Sequence, residues 1–224
     1  MATVTVSVNS ETTFTATYNN VTDTCTVTVG PTYLINDDCT SSSKLSDYGS
    51  SIRLTDGQTS SCALSYDSTK NCYALSGSGN NISAVTLDAL DGLDNVKVRV
   101  KFKLNGNSNY YQLILAVAPA KSNNVAFAAA RQMNYTFQYQ YDSGGGTGPT
   151  SDSHTVSDSR VDNWHYLELT KSGTDLTLKI YDSSLTQLYS ISKTIDSSYK
   201  YYLLGMNTER GYTTWVGEIL AESL

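Results

Sequence analysis

Asn95-Val96-Lys97-Val98-Arg99-Val100-Lys101-Phe102-Lys103-Leu104 alternates without a break. Val96, Val98, Val100, Phe102 and Leu104 fall on one side; Lys97, Arg99, Lys101 and Lys103 fall on the other. That is the two-residue period of a half-buried strand and not the 3.6-residue period of a helix. Asn105-Gly106 follows, a pair that favours a tight hairpin turn.

Working outward, the same grammar holds. Residues 110–118 are apolar on both faces, as in a central strand. Periodicity leaves Val125 to Ala130 open between a strand and a single helical turn. Met133, Tyr135, Phe137, Tyr139 and Tyr141 alternate with Asn134, Thr136, Gln138 and Gln140, and a Gly-rich loop at 143–148 follows. Residues 163–171 and 176–181 form two more strands about a turn at Ser172-Gly173-Thr174-Asp175, and strands at 201–206 and 215–220 close the chain. No window holds a helical pattern. The expected fold is all-β, a two-sheet antiparallel sandwich.

Composition agrees. Charged residues make up only 16 % of the 224, with five glutamates against seventeen tyrosines. β-Branched and aromatic residues fit a pleated, half-buried surface. The net charge of −6 repels a phosphate backbone, so a nucleic-acid partner is not expected. No stretch approaches the ~20 apolar residues of a membrane span, so neither is membrane insertion. Met1-Ala2-Thr3-Val4 lacks the basic and apolar regions of a signal peptide. The expected setting is a segment of a longer secreted protein or a virion component: extracellular, at a cell surface or on a virion.

Four cysteines, Cys25, Cys39, Cys62 and Cys72, allow three pairings and contain no CxxC. Cys62 and Cys72 flank Tyr66 to Lys70, which reads as a hairpin tip, so a cross-strand Cys62–Cys72 disulfide is expected. That leaves Cys25 with Cys39. The alternative is four buried free thiols.

At the N-terminus, Val4, Val6 and Val8, then Phe14, Ala16 and Tyr18, then Cys25, Val27 and Val29 alternate about a turn at Asn19-Asn20, and Gly30-Pro31 breaks the pattern. Thr15-Ala16-Thr17-Tyr18-Asn19-Asn20-Val21 with Cys25-Thr26-Val27-Thr28-Val29 resembles the last two strands of a bacterial Ig-like repeat. Such repeats stack as stalks in microbial adhesins and phage tail proteins. This reading puts an incomplete Ig-like β segment at 1–30 and one large domain at 31–224. Its unpaired strand edges are sites through which a homo-oligomer can form.

The larger part resembles the concanavalin A-like, laminin-G-like jelly rolls. The phrases are Trp164-His165-Tyr166-Leu167-Glu168-Leu169-Thr170, Leu176-Thr177-Leu178-Lys179-Ile180-Tyr181-Asp182, Gly217-Glu218-Ile219-Leu220 and Leu34-Ile35-Asn36-Asp37-Asp38. Leu220 and Ala221 stand where that family often has acidic residues. The resemblance implies a jelly-roll sandwich that recognises glycan or protein, often with calcium and only sometimes with hydrolysis.

Catalysis is poorly provided for. Glu218 and Glu222 share a strand face, but no Asp lies between them to complete a hydrolytic pair. His154 reads as a solvated loop residue and His165 as a packed strand residue. Calcium is the one cofactor expected. Hard oxygen ligands could come from Asp88, Asp91 and Asp94 by spacing, or from Asp37 and Asp38, which the resemblance favours. A glycan site combines aromatic platforms with amides. The candidates are Tyr212, Trp215, Tyr139 and Tyr141, with Tyr110 and Tyr111 behind them, and Asn207, Gln138 and Gln140 as polar partners. The Lys97–Lys103 stripe could meet an anionic polymer or keep a sheet edge soluble. The expected function is a non-catalytic adhesion or receptor-binding module on a microbial adhesin or viral tail, recognising cell-surface carbohydrate or a host receptor. A structural spacer or virion decoration domain is the alternative, and a glycoside hydrolase the third.

Overall fold

The computed structural model describes residues 12–18, 21–27, 32–55, 59–106, 111–142, 150–156, 159–161, 163–209 and 211–224. The chain divides into two compact units, Met1–Thr32 and Tyr33–Leu224. In the first, β1 (Thr12–Tyr18) pairs antiparallel with β2 (Val21–Val27), Phe14 opposite Cys25. The Asn19-Asn20 turn, the strand expected at 3–8 and the Gly30-Pro31 break lie outside the described residues.

The second unit is a sandwich. Its strands are β3 (Tyr33–Asp37), β4 (Ser51–Arg53), β5 (Ser60–Asp67), β6 (Cys72–Gly79), β7 (Ile82–Thr86), β8 (Asn95–Leu104), β9 (Leu113–Ala118), β10 (Phe127–Gln132), β11 (Thr136–Asp142), β12 (Thr150–Thr155), β13 (His165–Ser172), β14 (Asp175–Tyr181), β15 (Gln187–Thr194), β16 (Tyr201–Asn207) and β17 (Thr213–Ser223). One sheet runs β12-β11-β10-β9-β16-β7-β4; the other runs β15-β14-β13-β8-β17-β6-β5, with β3 also on β17. All pairings are antiparallel. The core lies between the sheets. Val96, Val98, Val100 and Phe102 of β8 meet Leu113, Leu115 and Val117 of β9 and Leu204 and Met206 of β16 there. No helix among the described residues is long and apolar enough to cross a membrane.

The stretch Asn95–Leu104 is the strand its alternation predicts, but its place differs from the expectation. β8 lies between β13 and β17, so its lysines are on a central strand and not on an edge. Asn105-Gly106 does not turn a hairpin either. Gly106 takes φ +89°, and the chain then leaves for the other sheet, where β9 pairs with β10 and β16. The undecided stretch at Val125–Ala130 is strand from Phe127, and His154 is in β12 and not in a loop. The Gly-rich loop at 143–148 lies outside the described residues.

The disulfide expectation is corrected. Cys39, Cys62 and Cys72 are free, buried thiols, and the Cys25 side chain lies outside the described residues. The hairpin at 60–79 is real, but Cys62 faces Gly77 while Cys72 faces Asp67, five residues further along β5. At ~3.4 Å per residue that is roughly 17 Å, beyond any disulfide. The odd offset also sends the two side chains to opposite faces.

Candidate functional site

The outward face of the seven-stranded sheet is built from residues far apart in the chain. One row across it, in register from edge to edge, is Ser153, Gln138, Arg131, Ile114, Gly205, Ala84 and Ile52. The next row is Ser151, Gln140, Ala129, Ala116, Leu203 and Thr86. Ala84, Ala116, Ala129 and Gly205 are the small members of these rows, and all four are buried. At Gly205 an added Cβ would come within 2.3 Å of the Ser83 carbonyl oxygen.

The two halves of this face differ. Residues 119–126, between β9 and β10, reach across to edge strand β4. There the Asn123 Oδ1 accepts the Arg53 N–H at 2.8 Å and the Asn124 N–H donates to the Arg53 carbonyl at 2.9 Å. Val125 thereby joins Ile52, Ile114, Phe127 and Leu203 in a second apolar cluster outside the main core. The β10–β11–β12 half is polar, with Arg131, Gln138, Gln140, Ser151 and Ser153.

Arg131 is the unusual member. Only 8 % of it is exposed, its Nε is buried without a partner, and no carboxylate lies within 4 Å among the described residues. Its guanidinium carbon stands 3.2 Å from the centroid of the Tyr111 ring. Burial brings its pKa down to about 10, so it stays a cation at neutral pH. A buried charge normally has a counter-charge, because desolvating it alone is costly. Around it, the Gln138 Nε2 donates to Ser153 Oγ at 2.7 Å, while the Gln140 Oε1 is buried with no partner. A guanidinium, an amide oxygen without a partner and two serine hydroxyls thus lie side by side, groups whose chemistry suits hydrogen bonding to hydroxyls.

The structure distributes the sequence candidates over three places. Gln138 and Gln140 are on this face. Asn207 is on it too, at the end of β16, where its N–H donates to the Tyr111 carbonyl at 2.8 Å and its Oδ1 accepts the Glu209 N–H at 2.9 Å. Tyr139 and Tyr141 alternate to the inner face and pack in the core, Tyr141 against Tyr199 with ring centroids 6.2 Å apart. Tyr212 packs against that core as well. Trp215 faces outward from the other sheet, with Lys70 Nζ 5.9 Å from its ring. Tyr110 lies outside the described residues. Of the two histidines, His165 is buried at the start of β13, and His154 stacks on Tyr189 with centroids 3.9 Å apart. Sequence reasoning left Arg131 out. Its signal is Phe127-Ala128-Ala129-Ala130-Arg131-Gln132, a cation ending a run of small residues, which is informative only once the run is known to be a strand.

The acidic groups expected to hold calcium have partners within the chain. Both oxygens of Asp37 are taken: Oδ1 by the Cys39 N–H at 2.8 Å, Oδ2 by the hydroxyls of Tyr48 at 2.7 Å and Tyr73 at 3.0 Å. Asp38 turns outward, and its Oδ1 accepts the hydroxyl and N–H of Thr40, which lowers its pKa. Elsewhere lysine ammonium groups occupy the place of a cation. Lys121 bridges Asp88 and Asp91, and Lys171 and Lys200 each lie 2.9 Å from Asp94. Hydrogen bonds from Lys200 and Lys171 hold the Asp94 pKa below the ordinary carboxylate value. No cluster of three or more metal-ligating side chains occurs among the described residues. Glu218 and Glu222 face Lys101 and Lys97 across the sheet, and Glu222 is ion-paired to Lys97.

No family model matches the chain, and no curated protein matches it in sequence. Solved structures do match in fold. The exoplasmic/lumenal domain of VIP36, bound to Ca2+ and Man3GlcNAc, aligns with a TM-score of 0.51 at 12 % identity, over 78 % of this chain and 88 % of that one. A Lotus tetragonolobus seed lectin isoform gives 0.52 at 10 % identity, over 78 % and 97 %. The CBM2 module of the evolved Dit of Lactobacillus casei BL23 phage J-1 gives 0.56 at 11 % identity, over 85 % and 95 %. Two antiparallel sheets in this arrangement, matched to these structures, show the fold: a two-sheet jelly-roll sandwich similar to theirs.

Proposed function

We propose that this chain is a non-catalytic carbohydrate-binding module whose ligand lies on the polar half of the outward seven-stranded face. The observation that carries the proposal is Arg131: a nearly buried cation, stacked on Tyr111, that lacks a carboxylate partner among the described residues. An unsatisfied guanidinium beside free amide and hydroxyl groups is a cost to the fold that bound ligand oxygens would remove. Gln138, Gln140 and Asn207 supply further hydrogen-bonding groups on the same face. Likeness in fold to a lectin, to a sugar-bound lumenal domain and to a phage carbohydrate-binding module supports this reading. It also supports a setting on a cell surface or virion, where such a module would act in adhesion.

The test is a broad glycan array, probed with labelled chain in calcium and in chelator. Specific binding that disappears in Arg131→Ala and weakens in Gln140→Ala is expected. Because no carboxylate is among the groups around Arg131, chelator should leave that binding unchanged. A blank array with folded protein, or binding indifferent to Arg131, would sink the proposal.

A further inference from the structure

The outward face of the eight-stranded sheet lies across the sandwich from Arg131 and plays no part in that site. Its centre is β8, where Lys97, Arg99, Lys101 and Lys103 succeed one another at roughly 7 Å. Aromatic rings are interleaved with them. Lys103 Nζ stands 5.2 Å from the Trp164 ring centroid, and Lys101 Nζ lies between Trp164 at 5.6 Å and Tyr166 at 5.8 Å. The Arg99 guanidinium lies 5.4 Å from Tyr166. On the other flank Trp215 is the register partner of Lys103. Trp164 rests on bare backbone at the β17 bulge, since an added Cβ at Gly217 would come within 3.1 Å of its ring.

Carboxylates on this face neutralise only some of its cations. Glu222 pairs with Lys97, and Glu168 is taken by the Tyr181 hydroxyl at 3.0 Å and by Lys179 at 3.9 Å. Lys101 and Lys103 have no ion pair among the described residues, although Glu218 is the register partner of Lys101, and the Arg99 Nε is buried without a partner. In a chain of net charge −6, this concentrates positive potential where the molecule as a whole has the opposite sign.

We infer that this face is a second binding site, for an acidic polysaccharide. A sugar ring stacks on Trp164 while its anionic substituent sits between Lys101 and Lys103. An acidic sugar presents an apolar ring face and a negative group within one residue, and Trp164 flanked by two ammonium groups offers the complement of both. A nucleic acid would meet the same cations, and an oligothymidylate distinguishes it from an acidic polysaccharide.

The experiment measures binding by titration calorimetry at low and physiological salt to polygalacturonate, dextran sulfate, neutral dextran and an oligothymidylate. Affinity for one or both acidic polymers is expected, weakening with salt, with none for dextran; the two acidic arms separate carboxylate from sulfate recognition. Lys101→Gln/Lys103→Gln should bind at least tenfold more weakly with an unchanged melting temperature. Trp164→Ala should lose affinity but keep the salt dependence, and Arg131→Ala should bind as the parent does. No affinity for either acidic polymer, affinity unaltered in the double-lysine variant, equal affinity for dextran, or tighter binding of the oligothymidylate would each overturn the inference.

Discussion

Replacing Arg131 by methionine separates function from stability. Burial lowers the pKa of the guanidinium from its ordinary 12.5 to about 10. At 1.36 kcal/mol for each pKa unit, that is roughly 3 kcal/mol by which folding disfavours the charged side chain. The Tyr111 ring returns about 2 kcal/mol through the cation–π contact at 3.2 Å. Methionine removes both terms, keeps a flexible apolar stem over Tyr111 and Ala129, and leaves a net gain of about 1 kcal/mol. For a domain of this size that raises Tm by about 2–4 °C in a calorimetric scan. The same variant should lose glycan binding. Arg131→Lys should lose most of it too, because an ammonium lacks the planar fork. A fall in Tm of 2 °C or more would show that the guanidinium holds the fold together and would refute this reasoning. A stabilised variant that still binds would refute the site.

Three further outcomes follow from other parts of the structure. Asp37→Ala strands two phenolic hydroxyls and the Cys39 N–H, at ~1–3 kcal/mol each, so Tm should fall by about 10 °C; Asp37→Asn should fall less, and a Tm unchanged in both would show that the Asp37 contacts are not formed. Cys39, Cys62 and Cys72 should resist a thiol reagent until the protein unfolds, and reductant should leave Tm unchanged, since burial raises all three pKa values, that of Cys62 to about 12; a Cys62–Cys72 linked peptide in a non-reducing digest would contradict the register of β5 and β6. Burial also raises the pKa of Tyr139 to about 12 and those of Tyr73, Tyr199 and Tyr202 further, so these phenols favour the fold fully below pH 10. That contribution is lost above pH 10, by about 1.4 kcal/mol per pH unit for each phenol that ionises only on unfolding, so a denaturation series flat from pH 10 to 12 would sink this account.

Much of the fold was legible because strand alternation is a local property. Asn95–Leu104 could be read alone, since each residue's face follows from its neighbour's. The turn at Ser172–Asp175 was equally local, and Gly173 takes the φ of +59° that such a turn needs. Asn105-Gly106 failed for the complementary reason. The pair encodes a change of direction, but whether the next strand joins the same sheet depends on pairing with β13 and β17, which lie far along the chain. The disulfide failed on register: a hairpin tip can be read from sequence, but a count of residues to the tip is needed to see that Cys62 and Cys72 are offset by five.

The site was less legible because alternation works against reading it in a line. Gln138-Tyr139-Gln140-Tyr141 looks like a compact sugar platform, yet the period of two puts the amides outside and the rings in the core. What adjoins the amides is decided across the sheet: Arg131 opposite Gln138, Ser153 on the far side, and Tyr111 over the guanidinium. None of these is a sequence neighbour of another, so no motif could have announced them. A charge does leave one trace in the sequence. Val125 to Gln132 has a single ionisable residue, and once that run is a central strand, its cation has to be either paired or used. Asp94 with Lys171 shows how this chain pairs a buried cation when only stability is at stake. Arg131 has no such carboxylate among the described residues, and that contrast within one molecule is the reason to look for its ligand outside the chain.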